Sequence, residues 1–202
     1  MTTIVVIPAP GEAIALQVIR QVQEWDAQNF VEYLTTAAFV LAWPTRGVPK
    51  RVNQAFGINP AAYAAFNLPG HDGLDLYAPQ GTPILAAFEG TVFRTNAQIT
   101  LGVRHAYGNH VRLRHLVGGF EYHTVYAHLS AIDPLVISGA LIPALAHIGD
   151  AGTTGNSTGP HLHLTLKRVG HYDPAQPATL ANFPHDIIDP TPFLKDLPAD
   201  TI

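Results

Sequence analysis

The chain has 202 residues, 47% hydrophobic and 13% charged, with a formal net charge of -4 and no cysteine. That length suits one domain with an appendage, and that composition excludes a disordered or low-complexity chain. The lack of any Lys/Arg run argues against nucleic acid as a partner, and the missing cysteines exclude disulfides, thiolate catalysis and Cys-type zinc sites, so any metal rests on histidine and carboxylate.

The N-terminus, "MTTIVVIPAPGEA", has no basic region, and its apolar run from Ile4 to Ile7 is too short for a signal peptide, so no export signal is visible. From Glu12 to Ala27, Ile14, Val18, Val22 and Trp25 recur at helical spacing, which predicts an amphipathic helix after Pro10-Gly11. The next stretch, "FVEYLTTAAFVLAW", fits a helix or a strand equally, and its longest apolar run is far below the roughly 18 residues of a membrane span. In "WPTRGVPK", starting at Trp43, two prolines and a glycine mark a boundary: residues 1–42 are read as a helical appendage and 43–202 as the main domain. A short helix is predicted over "NPAAYAAF", Asn59 to Phe66, with Asn59 as cap and Pro60 at its first position. Thereafter "TPILAAFEGTVFRT", "NHVRLRHLV", "EYHTVYAHLS" and "HLHLTLKR" alternate in short runs between turn clusters, which predicts a mainly antiparallel β architecture.

Three pieces carry chemistry. In "GNSTGPHLHL" and the residues after it, Leu162, Leu164 and Leu166 share one strand face and His161, His163 and Thr165 the other; alone, such a pair reads more often as strand histidines than as a site. In "HDGLDLYAPQGTP", His71 and Asp75 would lie ~13 Å apart along an extended strand, too far for one ion, so the segment must bend for both to bind, with Gly73 supplying the freedom. The alternative there is an Asx-type turn through Asp72 or Asp75. In "TVYAHLS", Tyr122, Thr124, Tyr126 and His128 are expected on one face, where a lone histidine is most often structural.

Together, "HDGLDLYAPQGTPILA", "TVYAHLS" and "TTGNSTGPHLHL" resemble the lysostaphin/LytM-type zinc metallopeptidases. "WPTRG" with the "FG" at Phe56, "YGNHVRLRH" and the closing "DPTPFL" extend the resemblance from Trp43 to about Leu197. It implies an antiparallel sheet with a groove holding one Zn²⁺ per chain, bound by His71, Asp75 and His163, with one position left for water or substrate. His161 and His128 match the two non-ligand catalytic histidines: His161 is assigned the proton shuttle and His128 the oxyanion, though the two roles are exchangeable. Tyr63 is a candidate substrate-binding residue in the groove. The turn before His161 is expected to form a groove wall.

The implied partner is bacterial peptidoglycan, cleaved at peptide bonds in its stems or cross-bridges at the cell wall, in the periplasm or outside the cell. No membrane partner is implied, and the oligomeric state stays open. Two alternatives remain: a non-catalytic wall-binding or hydrolase-activating module, and a zinc endopeptidase acting on glycine-rich proteins. Two departures stand out, Leu164-Thr165 in place of the usual Phe-Glu after the histidine pair, and a long connection, "RVGHYDPAQPATLANFPHD". The histidines at 105, 110, 115, 123, 147, 171 and 185 are read as surface or outer-sphere residues, not ligands.

Overall fold

A computed structural model describes residues 39–96, 99–100 and 103–195. The helix expected from Glu12 to Ala27 lies outside them. Of the described residues, those of 39–116 and 120–195 make one compact unit. Among the described residues no helix is long and apolar enough to cross a membrane.

In chain order the strands are β1 (Leu41–Ala42), β2 (Val52–Gln54), β3 (Leu74–Leu76), β4 (Pro83–Leu85), β5 (Gly90–Asn96), β6 (Ile99–Thr100) and β7 (Val103–Arg104). They continue with β8 (Asn109–Val117), β9 (Phe120–Ile132), β10 (Leu141–Ile142), β11 (His147–Ala151), β12 (Leu162–Arg168), β13 (Ile187–Ile188) and β14 (Leu194–Lys195). Ten of these make one sheet with the main order β10-β5-β8-β9-β12-β3-β2, and β11 connects β9 to β4. Its pairings are antiparallel, as the alternating runs predict; β1 with β14 forms a separate parallel pair. The predicted helix is present as α1 (Pro60–Tyr63), continued by a 3-10 turn at Ala64–Phe66. Asn59 does not cap it, because its backbone is left-handed at φ 54° and its side chain makes no capping bond.

Register decides which side chains share a face. β12 pairs with β3 so that His163 lies opposite Asp75, while Leu162 and Leu164 lie opposite Leu76 and Leu74. On its other side, His163 lies opposite Ala127 of β9 and Leu164 opposite Tyr126. One face of the three strands is therefore apolar, with Leu74, Leu76, Tyr126, Leu162, Leu164 and Leu166 all buried. The opposite face collects the polar groups. A slip of one residue would put Asp75 into the leucine layer, so burial of that layer enforces the pairing of Asp75 with His163. Tyr126 fastens this layer to the neighbouring loop by accepting the Ala87 N–H at 2.7 Å.

The expectation that His128 shares a face with Tyr126 is overturned. His128 has φ 62°, a left-handed conformation within a strand, and this turns its side chain away from the Tyr126 side. Its ring comes to lie 4.8 Å from that of His161 and 5.6 Å from that of His163. For a non-glycine residue such backbone costs about 1–3 kcal/mol and persists only where the surroundings hold it.

Candidate metal centre

His71 Nε2, Asp75 Oδ1 and His163 Nδ1 form a triangle with edges of 3.2, 2.9 and 3.1 Å. They are the one set of His, Cys, Asp or Glu donors among the described residues grouped tightly enough for a metal ion. The bend between His71 and Asp75 comes from loop backbone at residues 71–73 ahead of β3. Gly73 is needed for a different reason from the one expected. Its φ is not positive; instead, a Cβ there would lie 2.5 Å from the Leu164 carbonyl oxygen and 2.9 Å from His163 Cε1. Close approach, not backbone freedom, requires glycine. Gly73→Ala is therefore expected to displace His163 and weaken zinc binding at least tenfold in chelator competition; unchanged affinity would show that the strands yield without cost.

Hydrogen bonding identifies the donor atoms. A carbonyl oxygen only accepts, so His71 Nδ1, 2.9 Å from Ala55 O, carries the hydrogen and leaves a lone pair on Nε2. His163 Nε2 lies 2.9 Å from the Thr165 hydroxyl, which can accept a hydrogen from it, and that tautomer leaves the lone pair on Nδ1. With His163 in that tautomer, the 3.1 Å approach of His71 Nε2 to His163 Nδ1 is a meeting of two lone pairs beside a carboxylate oxygen. Such an arrangement calls for a cation. Tetrahedral zinc with bonds of ~2.0–2.2 Å holds its donors about 3.3–3.6 Å apart, so these three need spread by only a few tenths of an ångström. The donor set fits zinc. Burial works against charge on Asp75, but the surrounding His161, His163 and His71 more than offset it and hold the carboxyl well below the ordinary carboxylate range.

The two other expected histidines lie beside the triangle. His161 donates from Nδ1 to Gly159 O at 2.8 Å, and its Nε2 is 3.4 Å from Asp75 Oδ1. Burial lowers the basicity of His161, and Asp75 together with the Gly159 carbonyl raises it beyond that loss, so the ring titrates above its ordinary value. His128 donates from Nδ1 to Thr154 O at 2.7 Å, and its backbone N–H is held by Tyr107 O at 2.9 Å. Burial, then His163 and His161, push His128 down to about 3. Thr154 is itself fixed, donating to Leu129 O and accepting from the Asn109 N–H, each at 2.9 Å. Thus the "TTGNSTGP" loop carries His128 as well as leading into His161.

Tyr63 lies beside His71, with ring centroids 5.4 Å apart. Gln54 Nε2 donates to its hydroxyl at 3.0 Å, leaving the phenolic hydrogen unengaged by that bond. Burial and then Asp75 push Tyr63 up to about 12, so it keeps this proton.

Asp72 and Tyr107 went unrecognised as site residues. Tyr107 stacks on the His163 ring at 5.4 Å, and its hydroxyl donates to Asp72 Oδ2 at 2.7 Å. Period-two alternation does place Thr165 on the histidine face, but no spacing signal connects Tyr107 to it. Of the other histidines, read as surface or outer-sphere residues, His110 and His115 are buried. Both are pushed down to about 4 by burial; His110 donates to Gly108 O, and His115 bonds Glu89 O and Thr124.

The sequence pattern described as Peptidase family M23 matches residues 69–175, more than half of the chain. The DD-carboxypeptidase/endopeptidase Mpg of Neisseria meningitidis serogroup B is 40% identical over 114 residues, which cover 55% of this chain and 23% of Mpg. The chain thus spans less than a quarter of the length of that curated relative. Among solved structures, the catalytic domain of the prophage-encoded M23 protein EnpA from Enterococcus faecalis is 30% identical, with a TM-score of 0.50 over 66% of this chain and 90% of EnpA's. Lysostaphin from Staphylococcus simulans is 25% identical, with a TM-score of 0.51 over 71% of this chain and 48% of its own.

Proposed function

The chain belongs to peptidase family M23, and from that membership we propose that it is a zinc endopeptidase hydrolysing peptide bonds in the stems or cross-bridges of bacterial peptidoglycan. The observation that carries this reading is the meeting, on one sheet face, of three metal donors with the non-ligand histidines His128 and His161. The endopeptidase activity named for Mpg supports the reaction, and the name of another relative, the peptidoglycan DD-endopeptidase ShyA of Vibrio cholerae, 40% identical over 97 residues, supports the choice of substrate. The wall, and so the periplasm or cell exterior, is the corresponding site of action.

His71, Asp75 and His163 would hold the ion, whose contribution when bound would be Lewis acidity toward a carbonyl and a lowered pKa for water. His161 takes the proton of the attacking water at Nε2 and returns it to the leaving amine. Asp75 Oδ1, 3.4 Å away, stabilises the imidazolium formed in between. The sequence-based division of labour is revised for His128. Its Nδ1–H is committed to Thr154, so the neutral ring has only a lone pair to offer at Nε2, which suits it to orienting the attacking water. The O–H of Tyr63 is the better donor to the developing oxyanion.

The test is incubation of zinc-loaded protein with purified sacculi from several wall types, followed by mass spectrometry of the released fragments. New amines without new reducing sugar ends are expected. Absence of cleavage across all wall types would overturn the reading, and cleavage of an elastin-like protein in preference to sacculi would move the substrate to glycine-rich proteins. A complete donor set weighs against a non-catalytic module, since such a module has no use for a metal triangle backed by fixed tautomers.

A further inference from the structure

We propose that Thr165, Tyr107 and Asp72 form a positioning chain that selects which nitrogen of His163 is offered to the metal. The carboxylate end sets the polarity of the chain. The Asp72 carboxylate only accepts, so the Tyr107 hydroxyl donates to Oδ2 at 2.7 Å. With its hydrogen committed, the Tyr107 oxygen accepts from the Thr165 hydroxyl at 3.4 Å. Thr165 Oγ1, having donated, accepts the His163 Nε2–H at 2.9 Å. The negative end of the chain therefore sets the tautomer at the other end. Asp72 Oδ1 also lies 3.6 Å from His163 Nε2 and favours a hydrogen on that nitrogen.

The selection has a competitor to overcome. His163 Nδ1 is 2.9 Å from Asp75 Oδ1, close enough for a charge-assisted Nδ1–H bond. That tautomer would occupy the lone pair the metal needs. Thr165 is fully buried and His163 nearly so, which leaves little room for water to replace the chain. Thr165 is neutral where the resemblance has glutamate, and the carboxylate at the end of the chain comes from Asp72, next to the ligand His71. Tyr107 has a second hold on the site, since its carbonyl accepts the His128 N–H at 2.9 Å. One turn residue thus ties a metal ligand to a catalytic histidine.

The inference rests on His163 being a ligand in the reading above, and the test separates the two. Long-range 1H–15N spectra of the zinc-free protein report the His163 tautomer directly, and chelator competition with the absorption of the Co²⁺ form reports the metal site. The wild type is expected to hold His163 as Nε2–H. Thr165→Val is expected to move it toward Nδ1–H and lower zinc affinity about 10–100-fold, the usual effect of losing a ligand's outer partner. Thr165→Ser should restore both. Should Thr165→Val fail to fold, Tyr107→Phe, which keeps the stacked ring, decides. Links of one chain are not independent, so Tyr107→Phe with Asp72→Asn should weaken zinc no more than the stronger single change. Retention of the Nε2–H tautomer and wild-type affinity in Thr165→Val, or multiplying losses in the double variant, would overturn the proposal. A wild type that shows the Nε2–H tautomer and binds zinc but leaves sacculi intact would support the positioning chain and count against the proposed function.

Discussion

Asp75→Ala is expected to lower zinc content from one ion per chain to near zero and to abolish hydrolysis of sacculi. Asp75 Oδ1 is within 3.4 Å of His71 Nε2, His163 Nδ1 and His161 Nε2, so one atom serves three rings. Its removal takes away the anionic donor and leaves two imidazole lone pairs facing each other at 3.1 Å. The loss in affinity should exceed the ~10–100-fold that follows loss of an outer hydrogen-bonding partner. Elemental analysis after dialysis, with circular dichroism to confirm the fold, is the check. Near-stoichiometric zinc in Asp75→Ala would remove Asp75 from the ligand set. Asp75→Asn separates charge from shape: it preserves the side-chain volume opposite His163 and should still bind zinc poorly.

His128→Asn is expected to keep zinc at one per chain and to lose turnover by about 10²-fold or more, because the lone pair that orients the attacking water is gone. Asparagine is chosen because it tolerates the left-handed backbone at φ 62°, so the variant tests the imidazole and not the turn. The position itself argues for function. A strand residue in strained backbone, its ring held by the Thr154 carbonyl and its N–H by Tyr107, is more tightly determined than packing requires. Single-turnover assays on a defined peptide would read the change in kcat, and chelator competition would show whether zinc affinity stays level. Unchanged turnover would refute the role given to His128.

Much of the fold was legible because strand periodicity and burial follow the same rule. The runs around Leu113, Tyr126 and Leu164 alternate, and Val111, Leu113, Tyr122, Tyr126, Leu162, Leu164 and Leu166 lie in the core, while Leu116 at the end of its strand is exposed. The antiparallel sheet and the short helix at Pro60 follow from local patterning and turn chemistry. The histidine face of β12 was legible on the same basis, since Leu162, Leu164 and Leu166 bury the other face and so aim His161 and His163 together. His71, Asp75 and His128 entered the reading through the ordered motifs around them, because no local spacing joins residues so far apart in the chain.

Two local inferences failed for a common reason. Period two put His128 beside Tyr126, but its left-handed backbone turns it to the other face. Gly73 was read as a hinge, whereas it is a place where β12 comes too close for a side chain. Both depend on what distant segments of the chain place nearby, which no window of sequence contains.

By itself, then, the sequence determined the strands, the buried leucine layer and the set of residue types able to bind zinc, since these follow from alternation and from donor chemistry. Tertiary structure alone decided the cross-strand register of Asp75 with His163, the tautomer of each imidazole and the inclusion of Tyr107 and Asp72. A hydrogen bond depends on an acceptor within about 3 Å, and across a sheet that acceptor comes from another part of the chain.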